Sequence, residues 1–287
     1  MIDLQDKDGL RALSDIVRDV RDQSLGAEFM LVGAAARDLL LQHQHGIAPP
    51  RKTTDVDFAF AVPDWPTYEA LTANLIQSGL FEPDAKIQHR LRSRTGTAID
   101  IVPFGGVEST EARIAWPPPG EAVMSVIGYS EAKAATEEVT LPGKVHLAVI
   151  TIPMLALLKL FAWEDRHRAM PRKDASDLLF VLDNSFQIVG LEQLYDEAPE
   201  LFEQDDFDAE LAGAWLIGFQ ARTVIDHHSN RGQNVIAGAG AIIERETDPN
   251  GPLSLIGEVE SIDPERARRK LIAFGNGLHL SRTLRDI

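Results

Sequence analysis

The stretch Thr53-Thr54-Asp55-Val56-Asp57-Phe58-Ala59-Phe60 narrows what this chain can fold into, because it sets two acids inside a run of β-formers. Successive side chains of a strand point to opposite faces, so Asp55 and Asp57 share one face and Val56, Phe58 and Phe60 the other. Neighbouring carboxylates repel unless a cation neutralises them, and hard oxygen ligands suit Mg²⁺. Alone, an Asp-x-Asp also reads as two solvated acids on an edge strand. A third acid weighs against that reading. Asp100 interrupts the apolar run Thr97-Ala98-Ile99-Asp100-Ile101-Val102-Pro103-Phe104, which stops at Gly105-Gly106. A lone charge in such a strand is costly, and a metal held by Asp55 and Asp57 would supply its partner.

Upstream, Glu28 to Val32 reads as a short strand running into Gly33, with Arg37 and Asp38 one turn further along a helix. Glycine allows a close turn, and N–H groups at the following helix start can face a phosphate. An ordinary strand-to-helix turn uses the same residues. Arg37 either reaches phosphates or pins the acidic strand, with Asp38 as its simplest partner.

The ordered set LVGAAARDLL…TTDVDFAF…AIDIVPFGG resembles the nucleotidyltransferase superfamily with the polymerase-β-like palm. Within it, the set is most similar to the AbiEii-type nucleotidyltransferase toxins, over roughly residues 28–183. Where that family has Gly-Ser or Gly-Gly, this chain has Gly33-Ala34, so a serine hydroxyl contact is absent and a backbone contact remains. The resemblance implies an α/β (α+β) chain, with a mixed-sheet palm domain over residues 1–150 and a mainly helical domain over 151–287. It implies Asp55, Asp57 and Asp100 as catalytic acids holding two Mg²⁺ ions, and an NTP as substrate. The nucleotide would be contacted by Gly33, Ala34, Arg37, Thr54, Lys159, Lys173 and Asp177. It further implies a toxin with a separately encoded antitoxin as partner; RNA or tRNA is the expected acceptor, and the motifs leave a protein side chain or a small molecule open as well.

Lys159 lies among Leu155, Leu157, Leu158, Leu160 and Phe161, so its ammonium either snorkels or faces a cleft. Arg166 falls seven residues later on nearly the same helix face. Lys173 and Asp177 are spaced for one face and would also make an ordinary helix salt bridge.

The net charge of −16 argues against a nucleic-acid partner, but its layout matters more. Residues 174–221 hold twelve acids and no Lys or Arg, which accounts for most of it. Basic residues instead gather at Lys86, Arg90, Arg92 and Arg94, and at Arg266, Arg268, Arg269 and Lys270, leaving room for a local basic groove. The acid block equally suits a polycationic small molecule, so an aminoglycoside-type nucleotidyltransferase is the main rival reading; a non-catalytic nucleotide-binding protein is the other. Apolar residues make up 44%, ample for a buried core, and there is no cysteine, which fits the cytoplasm. No apolar run of about 18 residues predicts a membrane span, and the charged N-terminus is unlike a signal peptide.

Elsewhere, helical spacing of Leu10, Leu13, Ile16, Val17 and Val20 predicts a helix over residues 4–23. A second helix is expected over Pro66–Leu80, ending at Gly79. Hairpins are expected around Thr95-Gly96 and Pro142-Gly143, with a rigid break at Trp116–Gly120. His43-Gln44-His45 and His227-His228 read as solvated histidines, Ala237–Ala241 as a turn or tight packing, and 187–230 as helical with Trp215, Leu216 and Phe219 in its core.

Overall fold

Period-two apolar patterning ends near Ile150, and from Ile152 onward the apolar positions follow a helical period, so the chain changes architecture there. In the computed structural model, which describes residues 1–49, 53–116, 123–205, 207–228, 232–260 and 262–281, the chain divides into units Met1–Thr151 and Ile152–Ile287.

The first unit is a mixed α/β layer structure. Its strands are β1 (Ile2–Asp3), β2 (Phe29–Val32), β3 (Asp55–Val62), β4 (Phe81–Pro83), β5 (Arg90–Ser93), β6 (Ala98–Gly105), β7 (Arg113–Ala115), β8 (Val123–Ser125), β9 (Glu137–Leu141) and β10 (Val145–Val149). Its helices are α1 (Arg11–Gln23), α2 (Gly33–Gln44), α3 (Trp65–Gln77) and α4 (Tyr129–Ala134). Eight strands form one mixed sheet in the order β1-β9-β10-β2-β3-β6-β5-β4, while β7 and β8 pair separately. β3 lies parallel to β6, and β5 runs antiparallel to β6. Opposite the acids of β3, Phe29 packs against Phe58 and Phe60, with ring centroids 5.2 and 5.0 Å apart. That burial holds β3 by its apolar face and leaves its acidic face to the site.

Local chemistry explains several boundaries. Asp64 caps α3 by accepting from the Thr67 N–H, with Pro66 in the first turn where its missing N–H costs nothing. Both expected hairpins form, as β5–β6 and β9–β10. The expected helix over 4–23 starts only at Arg11. Ahead of it the chain pairs Ile2 and Asp3 in parallel with Val139 and Thr140, a long-range contact without a local pattern. Residues 117–120 of the expected Pro-rich break and residues 229–230 of the expected helix lie outside the described residues.

The second unit is helical: α5 (Ile152–Arg166), α6 (Lys173–Asp183), α7 (Ser185–Glu197), α8 (Ala209–His228), α9 (Gly232–Thr247), α10 (Ser254–Gly257) and α11 (Pro264–Leu278). Helices α8 and α11 approach closely because glycines face backbone. A Cβ on Gly218 would come 2.0 Å from the Phe274 carbonyl oxygen, and one on Gly277 2.0 Å from that of Trp215. Residues 237–241 sit inside α9, so tight packing rather than a turn accounts for them. No helix among the described residues is long and apolar enough to cross a membrane.

Candidate active site

Register assembles the site. Across the sheet, Val32 of β2 faces Asp57, Asp57 faces Asp100 of β6, and Asp100 faces Arg90 of β5. Residues opposite one another in a ladder share a face, and Asp55 is two residues from Asp57. The three carboxylates therefore converge, with one oxygen from each lying within 4.8 Å of the others. Unit charges at that separation repel by about 3–4 kcal/mol per pair at an effective dielectric of about 20. The donor set is all oxygen, which suits a hard divalent cation such as Mg²⁺.

Gly33, the first residue of α2, packs against this cluster. Its φ of +71° lies in the left-handed region, and a Cβ there would fall 2.1 Å from Asp57 Oδ2. Only a residue lacking Cβ lets the backbone turn and the carboxylate occupy neighbouring space.

Among the described residues, Arg90 is a cation held directly on the site. Its Nε donates to Asp100 Oδ1 at 2.6 Å and its Nη2 to Oδ2 at 2.8 Å, a bidentate fork. Nη2 also lies 3.5 Å from Asp55 Oδ2. The hydrogen bond to Asp100 raises the Arg90 pKa, with partial burial opposing it and the charges of Asp100, Asp55 and Asp57 adding to it. The three carboxylates are ligands of the kind a divalent cation takes. His89 Nε2 sits 3.9 Å from Asp100 Oδ2, and its ring stacks on Trp116 at 4.8 Å. Tyr68 donates to the Ile101 carbonyl at 3.0 Å, and burial followed by the charge of Asp100 pushes its pKa up.

Arg37 is fully buried. Its Nε donates to Asp38 Oδ1 at 2.8 Å, and Thr53 hydrogen-bonds Asp38 Oδ2, tying α2 to the entrance of β3. Arg37 reaches the entrance of β3 through Asp38. Ala34 is buried in the first turn of α2, and Thr54 is exposed just before Asp55.

Lys159 and Asp177 meet in the second unit, both buried. Lys159 Nζ is 2.6 Å from Asp177 Oδ2 and 3.0 Å from Asp174 Oδ1, and Arg166 Nε is 2.6 Å from Asp174 Oδ2. Burial works against the Lys159 charge, yet Asp174 and Asp177 outweigh it and raise its pKa. For Asp174 burial is likewise the largest influence, and Lys159 and Arg166 together overcome it to depress the pKa. Lys159 is thus held among carboxylates. Asp177 takes Lys159 as partner, and Lys173 is half-buried at the first turn of α6. Asp174, which reading the chain did not single out, is the hinge of this cluster. Its signal was the shared face of Lys159 and Arg166.

Several members of the two basic groups expected to offer a groove are engaged by other partners. Arg92 pairs with Asp84 at 2.8 Å, and Arg94 donates to the Gly79 carbonyl. On α11, Arg266 pairs with Asp208 and Glu210, and Lys270 with Asp183 and Glu210. The acid block and the C-terminal basic cluster therefore meet across α11, instead of forming two opposed surfaces.

A sequence model described as the nucleotidyl transferase AbiEii toxin of a type IV toxin–antitoxin system matches residues 15–233. No curated protein sequence matches the chain. Among solved structures, the solution structure of the antibiotic-resistance factor ANT(2'')-Ia aligns at 12% identity and a TM-score of 0.39, covering 76% of this chain and 97% of that one.

Proposed function

The chain belongs to the AbiEii nucleotidyltransferase toxin family, and from that premise we propose that it is a Mg²⁺-dependent enzyme moving an NMP from an NTP to an RNA hydroxyl, with tRNA the favoured acceptor. The observation that carries the reading is the convergence of Asp55, Asp57 and Asp100 beside Gly33 at the start of α2. In this proposal residues 1–150 are the palm domain, residues 151–287 the helical domain, and a separately encoded antitoxin the protein partner.

Asp55, Asp57 and Asp100 would hold the metal, which would supply positive charge to offset that developing on the departing pyrophosphate. Backbone N–H groups of Gly33 and Ala34 would orient a phosphate at the helix start. Arg37, through Asp38 and Thr53, would keep β3 and α2 in register, and Thr54 lies on the exposed approach to Asp55. Asp100 would accept the proton of the attacking hydroxyl. The hydroxyl oxygen bonds to the α-phosphorus as the α–β phosphoanhydride bond breaks and pyrophosphate leaves. For Lys173, half-buried at the first turn of α6, the family resemblance supports a phosphate contact. For Lys159 and Asp177 the buried ion cluster supports a role in holding α5 to α6.

The direct test is to incubate the protein with Mg²⁺, each labelled NTP and total RNA. Label should enter RNA, release of pyrophosphate should match it, and incorporation should fall as salt screens the phosphate contacts. Label entering an aminoglycoside and no RNA would overturn the acceptor; no transfer to any acceptor would overturn the activity.

Gly33→Ala gives a second check. The added Cβ meets Asp57 Oδ2 and must adopt a left-handed conformation costing about 1–2 kcal/mol. Transfer should fall at least about 100-fold, the scale of a 1 Å misplacement, with melting about 3–8 °C lower. Wild-type transfer in this variant would show that the close approach of Gly33 to Asp57 does not serve the reaction.

A further inference from the structure

We infer that Arg90 is a built-in cation that competes with divalent metal for Asp100, so that filling the acid cluster requires the guanidinium to leave. The inference rests on the reading of Asp55, Asp57 and Asp100 as metal ligands and adds the group that a metal must displace.

The fork geometry carries it. Arg90 Nε and Nη2 occupy both oxygens of Asp100, at 2.6 and 2.8 Å, and the same Nη2 lies 3.5 Å from Asp55 Oδ2. The guanidinium thus bridges two of the three acids. It cannot shed its charge, since arginine stays protonated in proteins. A hard cation such as Mg²⁺ binds oxygen at about 2.1 Å and demands near-octahedral directions, and the fork already takes one lone pair on each Asp100 oxygen. It also feels the repulsion of a fixed positive charge held against its own ligands.

Position explains why the fork forms. Arg90 faces Asp100 across the β5–β6 ladder, so the two side chains share a face whenever the hairpin closes. Its neighbours in sequence do otherwise: Arg92 pairs with Asp84 and Arg94 with the Gly79 carbonyl. A triphosphate would offer the displaced guanidinium another anion. Metal loading would then be coupled to nucleotide binding, and the chain alone would hold metal weakly.

Titration of the intact protein with Mn²⁺, followed by calorimetry and by the spin signal of free Mn²⁺, tests this without any turnover. Arg90→Gln should bind Mn²⁺ about tenfold more tightly than wild type. Arg90→Lys, which keeps the charge but not the fork, should fall between them. A non-hydrolysable NTP analogue should strengthen Mn²⁺ binding more in wild type than in Arg90→Gln, because only wild type must relocate a guanidinium. The same affinity in wild type and Arg90→Lys would reduce Arg90 to a distant charge and overturn displacement. Unchanged or weaker binding in Arg90→Gln would overturn competition altogether. Asp57→Asn should lose binding in either background. If wild type and every Arg90 variant bind no Mn²⁺, even with the analogue, the metal-centre reading itself fails, and this inference with it.

Discussion

Asp57→Asn abolishes nucleotidyl transfer, by at least about 10³-fold, while the metal-free protein folds normally and melts higher than wild type. Asp57 faces Asp100 directly across the β3–β6 ladder and lies two residues from Asp55, so its carboxylate is central to the cluster. Asparagine keeps its shape and removes its charge. The same removal relieves repulsion among three acids, of which Arg90 offsets only part. A net relief of about 1 kcal/mol corresponds to a rise of about 2–4 °C for a domain of this size. Adding Mg²⁺ should then raise the melting temperature of wild type and leave Asp57→Asn unmoved. A metal-free variant melting below wild type would mean that Asp57 is a structural acid. Undiminished transfer would remove it from the catalytic set.

Lys159→Met destabilises the helical unit by about 3–5 kcal/mol, the usual cost of removing one partner from a buried ion pair. Lys159 bridges Asp174 and Asp177, both almost wholly buried, so its loss strands carboxylate charge inside the packing of α5 on α6. Arg166 still serves Asp174. Asp177→Asn in the Lys159→Met background should therefore recover much of the loss by neutralising the acid that depended most on lysine. The pH dependence has a defined sign. The depressed Asp174 pKa stabilises the fold fully above its ordinary value of 3.8, and that contribution is lost as pH falls below it. The raised Lys159 pKa contributes fully below its ordinary value of 10.5, and that contribution is lost as pH climbs beyond it. Wild type should hold a plateau between these limits, with steeper losses outside them than Lys159→Met shows. The phosphate role implied by family resemblance makes the opposite forecast: Lys159→Met melting like wild type but failing to transfer would place the ammonium on the nucleotide.

Much of the sheet was legible along the chain because strand periodicity is a property of consecutive residues. Alternation placed Asp55 and Asp57 on one face, turn glycines marked both hairpins, and a charge inside an apolar strand singled out Asp100. Gly33 stood out as the turn before a helix. Its distance from Asp57 could not be read, because that depends on the antiparallel pairing of β2 with β3.

Partner choice was where local reading ran out. Arg90 belonged to a basic run suited to phosphate, yet the ladder turned it onto Asp100 while Arg92 and Arg94 found other partners. Lys173 and Asp177 had the spacing of a helix salt bridge, but Asp177 turned inward to Lys159 on α5. Three acids of the block, Asp183, Asp208 and Glu210, are met by Arg266 and Lys270 of α11, a pairing no local pattern announced. Sequence by itself determined the element types, the shared face of Asp55 and Asp57, and the oddity of Asp100, since each follows from backbone geometry over a few residues. Tertiary structure alone decided which charge meets which. A carboxylate takes the cation that packing brings within about 3 Å, and that cation comes from any distance along the chain.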